Sequence, residues 1–104
     1  MRVLILAVGR MKNGPERELV QRYRDRIEQT GRSLGTSACD IIEIPESRAS
    51  NADRRMFEEA GALITKLPDN SHICLFDERG KSPSSPAFAN RFRDVRDAGT
   101  GTFT

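Results

Sequence analysis

Three short polar segments carry the residue types that could do chemistry: Gly9-Arg10-Met11-Lys12, Pro45-Glu46-Ser47-Arg48 and Asp77-Glu78-Arg79-Gly80-Lys81. Each follows an apolar run, and each contains at least one cation. If the chain brings them together, they form a basic rim suited to an anionic partner such as a phosphate backbone. Strand-end turns are also charged simply because they are wet, so the pattern alone leaves both readings open. The Asp77-Glu78 pair could serve acid–base work, or could hydrogen-bond within its own turn to Gly80 and Lys81.

Other chemistries find little support. His72 is the only histidine and opens an apolar run, a position that suits a structural or surface role. Cys39 and Cys74 are isolated thiols whose spacing fits neither a zinc site nor a disulfide framework, so they read as small buried hydrophobes and no metal is expected. Ser84-Ser85 has no base nearby in sequence and is explained by a helix cap. Gly9 and Gly14 do not make a dinucleotide fingerprint, and there is no phosphate-loop lysine motif.

The elements that must position these segments alternate in type. Val3–Val8 is a continuous apolar run ending at Gly9, as in a central parallel strand covered on both faces. Asn13-Gly14-Pro15 opens a helix with Pro15 at its first position and the stripe Leu19, Tyr23 and Ile27; Gly31 is its expected terminator. The segment from Arg32 to Ala38 reads as a loose loop. Cys39 to Pro45 predicts a second strand stopped by Pro45. A helix capped near Ser50 or Asn51 follows, with Met56, Ala60, Leu63, Ile64 and Leu67 as its buried stripe. His72–Phe76 predicts a third strand, and Ser84-Ser85-Pro86 opens a third helix with the stripe Phe88, Phe92 and Val95. Thr100 to Thr104 has the vocabulary of a fourth strand's opening. Strict alternation predicts an α/β fold, a mostly parallel sheet with helices on both faces.

At 104 residues one domain is expected, and 31% charged against 37% hydrophobic residues speaks for a folded chain. The net charge of +2 permits nucleic-acid binding without requiring it. No apolar run approaches the ~20 residues that span a bilayer, and MRVLILAVGR is too short and lacks a cleavage site for a signal peptide. No membrane partner is expected, and the location expected is cytoplasmic.

Taken in order, V-L-I-L-A-V-G-R-M-K-N-G-P-E-R-E-L from Val3, E-I-P-E-S-R-A-S-N-A-D from Glu43 and F-D-E-R-G-K-S from Phe76 resemble the ribosomal RNA large-subunit methyltransferase H family. Those enzymes are SPOUT-class, knotted methyltransferases that use S-adenosylmethionine to methylate N3 of a pseudouridine in 23S rRNA, and the resemblance implies the same activity, cofactor and ribosomal partner here, with a homodimer as the assembly. It implies cofactor contacts from Phe76, where relatives usually carry Leu, and from Asp77, Gly80 and Lys81. It assigns no catalytic residue to this chain. Arg10, Lys12 and Arg48, with Lys81, are the implied phosphate contacts to RNA. The resemblance covers about the first two-thirds of such a protein. The 104 residues are therefore expected to form a single incomplete SPOUT-like domain lacking the C-terminal knot and inactive alone. The alternative is a non-catalytic remnant or an RNA-binding or interaction module.

Overall fold

The computed structural model describes residues 1–104. Four strands, β1 (Arg2–Val8), β2 (Cys39–Ile44), β3 (Ser71–His72) and β4 (Thr102–Phe103), form one sheet in the order β2-β1-β4-β3, with every neighbouring pair parallel. Three α-helices connect them: α1 (Pro15–Gly31), α2 (Ala52–Ile64) and α3 (Ser85–Asp97). The expected α/β architecture is present.

Strand alternation assigns the faces. Ile5, Cys39 and Ile41 face α1 across an apolar cleft of ≈ 270 Å³. Val3 is in register with Phe103, whose ring meets Phe88 and Phe92 of α3 at 5.9 and 5.0 Å. Thus α1 and α3 cover one face. Helix α2 packs on β1 and β2 from the other, beneath Leu4, Leu6, Ile42 and Ile44. This is what right-handed crossovers require, because the chain moves one way across the sheet through α1 and α3 and the opposite way through α2.

Helix starts follow the sequence closely. Pro15 stands at the first turn of α1; Asn51 caps α2 by accepting from the Arg54 amide at 2.8 Å; Ser84 caps α3 through the Ala87 amide at 3.2 Å. The end of α1 differs. Gly31 remains right-handed and buried against Thr36, whose Cβ would lie 3.0 Å from an added side chain. A 3₁₀ turn, Arg32–Leu34, continues the helix, and Gly35 at φ +79° ends it. The supposed loose loop is therefore ordered. Thr36 is buried, the Met1 ammonium donates to the Gly35 carbonyl at 2.8 Å, and Arg96 reaches the Leu34 carbonyl at 2.6 Å.

The third strand is shorter than its sequence implies. His72–Phe76 has strand composition, yet pairing stops after His72, with one further bond from the Cys74 amide to the Thr104 carbonyl at 2.6 Å. The physical reason is its neighbour. Strand β4 lies between β1 and β3 and presents only two paired residues, so Ile73–Phe76 has no ladder to join. The α2 stripe is likewise only partly covered. Leu63 and Leu67 are half-buried, while Met56, Ala60 and Ile64 are exposed.

The core is consequently small. Its buried apolar residues are Leu4, Cys39, Ile44 and Phe103. The accessible surface is 8255 Å², whereas a folded monomer of 11.6 kDa exposes about 5,800 Å². The radius of gyration, 15.1 Å, likewise exceeds the roughly 13 Å of a compact chain of this length.

Phe103 is the one aromatic that is buried, and it touches three other rings: His72 stacks on it at 5.2 Å, beside Phe88 and Phe92. Phe103→Ala should cost about 3–5 kcal/mol, comparable with the whole net stability of a small domain. The far-UV circular dichroism of the variant should show loss of the folded signal at room temperature. Phe57→Ala, at a side chain 80% exposed, should stay within about 0.5 kcal/mol of the parent.

Candidate functional site

In an open parallel sheet, ligands bind beyond the carboxyl ends of the strands, and all three charged segments emerge at that end. Strand β1 leaves the sheet through Gly9, whose φ of +88° is left-handed and whose added Cβ would stand 3.1 Å from the Glu46 carboxylate. Its amide still donates to the Ile44 carbonyl at 2.7 Å. Two residues on, the Met11 amide donates to Glu43 Oε2 at 2.6 Å, and the Met11 carbonyl accepts from Arg17 at 3.0 Å. The backbone between Arg10 and Lys12 is thereby pinned at both its donor and its acceptor. Arg10 and Lys12 are exposed and have no ion-pair partners.

The segment after β2 is braced from α2. Ser47 donates to one Glu58 carboxylate oxygen, Arg54 donates to the other at 3.2 Å, and Ser47 Oγ accepts from the Ala49 amide at 3.2 Å. Arg55 reaches the Ala49 carbonyl at 3.0 Å. Arg48 sits between the two braced residues, exposed and unpaired. The Ser47 hydroxyl, with Arg54 second, holds the Glu58 carboxyl below the usual glutamate range. None of this bracing is signalled by sequence spacing across the loop, except that Arg54 and Glu58 stand one helical turn apart.

These contacts bring Arg10, Lys12 and Arg48 to one corner of the sheet. They also bring Glu43 and Glu46, so the corner alternates in sign where the sequence reading had a basic rim. Lys81 follows β3, which the order β2-β1-β4-β3 places two strands from β1.

The Asp77–Gly80 turn is closed by the Gly80 amide donating to the Asp77 carbonyl at 2.9 Å. Arg79 occupies both carboxylate oxygens of Asp77, at 2.9 and 3.0 Å, and donates its own amide at 2.8 Å. The Arg79 guanidinium, followed by that amide, holds the Asp77 carboxyl below the usual aspartate range. Asp77 is therefore built as an ionised turn anchor, and the bonding within its turn goes to Arg79 and Gly80. Phe76, just before it, is 87% exposed, and Leu75 is also open to solvent. Gly80 and Lys81 are exposed, and Lys81 is unpaired. Cys39 lies on the covered face beneath α1, where burial pushes its thiol up, so it remains an inert thiol of the core; Cys74 is free and half-buried. No helix is long and apolar enough to cross a membrane.

The chain is thus a parallel α/β sheet with its charged loops following the carboxyl ends of its strands, an arrangement that many enzyme classes share. The family described as predicted SPOUT methyltransferase matches residues 1–104, and the chain belongs to it. Among curated proteins, the ribosomal RNA large subunit methyltransferase H of a Bradyrhizobium species is 50% identical over 99 residues, which are 95% of this chain and 61% of that protein. The protein of the same name from Rhodopseudomonas palustris is 52% identical over 103 residues, 96% of this chain and 64% of its own. That from Agrobacterium fabrum is 50% identical over 99 residues, 95% and 62%. The chain thus spans a little over three-fifths of the length of the relatives it matches.

Because both carboxyls are depressed, the contacts of Asp77 and Glu58 are present above the ordinary carboxylate range and are lost as the pH falls through their own, lower, values. Arg79→Gln should raise the Asp77 midpoint, the amide of residue 79 still holding it part of the way down, and Ser47→Ala should raise that of Glu58. Carboxyl ¹³C shifts followed through an acid titration will read both.

Proposed function

We propose that these 104 residues form part of an S-adenosylmethionine-dependent methyltransferase acting on N3 of a pseudouridine in 23S ribosomal RNA. The observation that carries this reading is the identity of about half of the aligned positions, over 95% or more of this chain, with relatives named ribosomal RNA large subunit methyltransferase H.

The side chains assigned to the cofactor supply one wall. Phe76, Asp77, Gly80 and Lys81 follow one another along an open turn, and the exposure of Phe76 leaves its ring facing solvent with nothing opposite. An apolar ring and a row of turn groups suit an adenosine edge, but they do not enclose it. The residues present therefore do not by themselves fit a complete cofactor site, and no chemical step is assigned to them. Their role in this reading is to form one side of a cleft whose other side comes from polypeptide outside these residues. The resemblance carries a homodimer as the working assembly and the cytoplasm, where ribosomes are found, as its place of action.

Arg10, Lys12 and Arg48 are assigned as phosphate contacts. They are exposed, unpaired, and mounted on backbone that is pinned by Glu43, Arg17 and the Ser47–Glu58 brace. The adjacent Glu43 and Glu46 limit how much of the RNA backbone this corner attracts, so the contacts act by local geometry more than by a broad basic field.

A chimera tests the reading: the Agrobacterium fabrum relative with its matched segment replaced by these residues. It should transfer labelled methyl groups from S-adenosylmethionine to 23S rRNA, whereas the 104-residue chain alone should transfer none. A chimera that folds by circular dichroism and binds ribosomes yet transfers no methyl group would sink the activity. Methylation by the isolated chain would refute the one-wall description. In an active chimera, Arg10→Glu, Lys12→Glu and Arg48→Glu together should lower RNA affinity and reduce the salt dependence of binding by about three phosphate contacts.

A further inference from the structure

The two carboxylates at the β1–β2 corner do different things. Glu43 is committed to backbone, its Oε2 accepting from the Met11 amide at 2.6 Å. Glu46 lies against Gly9, exposed and without an ion-pair partner. Strand parity explains how Glu43 comes to the loop. Cys39 and Ile41 face α1, so Glu43, two residues further on, emerges on the same side of β2. Its partner in register on β1 is Ala7, whose side chain is a single methyl group. The loop from β1 to α1 begins two residues after Ala7, and its Met11 amide meets the carboxylate.

From Arg10 to Asn13 the chain has neither ladder nor helix to order it, and it is held at Met11. The amide there is tied to Glu43 of β2, and the carbonyl accepts from Arg17 of α1 at 3.0 Å. One loop residue is thus fixed to both flanking elements, and Arg10 and Lys12 are its immediate neighbours. A planar peptide held at its donor restricts the backbone from which each neighbouring cation branches. Because the acceptor is a carboxylate, the bond is of the stronger, charge-assisted kind.

Glu43 therefore acts on a bound phosphate backbone in two opposing ways. Its charge repels phosphate, but between exposed groups in salt that effect is small. Its bond orders the loop in advance, so that less conformational entropy is lost when the two cations engage. Fixing the backbone of one residue costs more than an exposed charge pair contributes, so the second effect is the larger.

We propose that Glu43 is a positioning residue for RNA binding: it holds Arg10 and Lys12 through the Met11 amide, and so strengthens binding although its charge is of the wrong sign. Glu46, which holds no part of the loop, acts by charge alone and weakens binding. The inference rests on the reading of Arg10 and Lys12 as phosphate contacts.

The test uses the Agrobacterium fabrum chimera and a transcript of 23S rRNA, at one fixed salt concentration. Glu43→Ala and Glu43→Lys should each weaken RNA binding by about fivefold or more, although both make the corner more basic. Glu43→Gln keeps an acceptor oxygen and should stay within about twofold of the parent. Glu46→Gln should bind as tightly as the parent or slightly more tightly. Amide hydrogen exchange at Met11 should speed by about tenfold in the Ala and Lys variants but not in the Gln variant. Glu43 is exposed on the outer strand, so both variants should fold by circular dichroism, and either one that folds decides. Parent-like or tighter RNA binding by a folded Ala or Lys variant, a Gln variant as weak as these, or unchanged exchange at Met11 would each overturn the positioning role. Arg10→Glu with Lys12→Glu separates the two readings. If that pair weakens binding while Glu43→Ala does not, the positioning role alone fails; if the pair leaves binding unchanged, the phosphate contacts fail and the positioning role with them.

Discussion

A strand inside a sheet is stable only when both of its edges are paired, and here that requirement falls on two residues. Thr102 and Phe103 separate β1 from β3 and supply the only ladder that holds the two halves of the sheet together. The same two residues are buried, and Phe103 gathers His72, Phe88 and Phe92 around one ring. Backbone pairing and side-chain burial coincide at this point. Where the ladder holds, β3 exists and α3 has a surface to cover. Where it gives out, residues of strand composition stand in solvent.

The two ends of the sheet differ for the same reason. At the β1–β2 corner, six residue pairs in register carry the chain to Gly9 and Ile44, and the following loops are locked by Glu43, Arg17 and Glu58. Cations there are presented from fixed backbone. At the β3 side, the Asp77–Gly80 turn is locally well made, but the strand that should anchor it is absent from Ile73 onward. A turn that is rigid within itself need not be rigid relative to the sheet.

Much of the fold was legible because it depends on local physics. The apolar run Val3–Val8, the capping residues Asn51 and Ser84, Pro15 at a helix start and Pro45 at a strand end each act within a few residues of themselves. Less local features were misread. Gly31 looks like a terminator, but the burial of Thr36 makes it a contact glycine and passes termination to Gly35. The predicted strand His72–Phe76 and the predicted stripe of α2 both assume a neighbour that pairs or covers them, and no property of those residues reveals whether it is there.

For the candidate site, the residue types, the exposed cations and the family were all readable in order along the chain, because strand ends and turn chemistry are written locally. What only the tertiary structure decided was which of them meet. Strand order seats the loops bearing Arg10, Lys12 and Arg48 beside Glu43 and Glu46, while the segment bearing Lys81 follows β3, two strands away. Pairing between strands distant in sequence depends on long-range register and packing, and neither leaves a mark on any one segment.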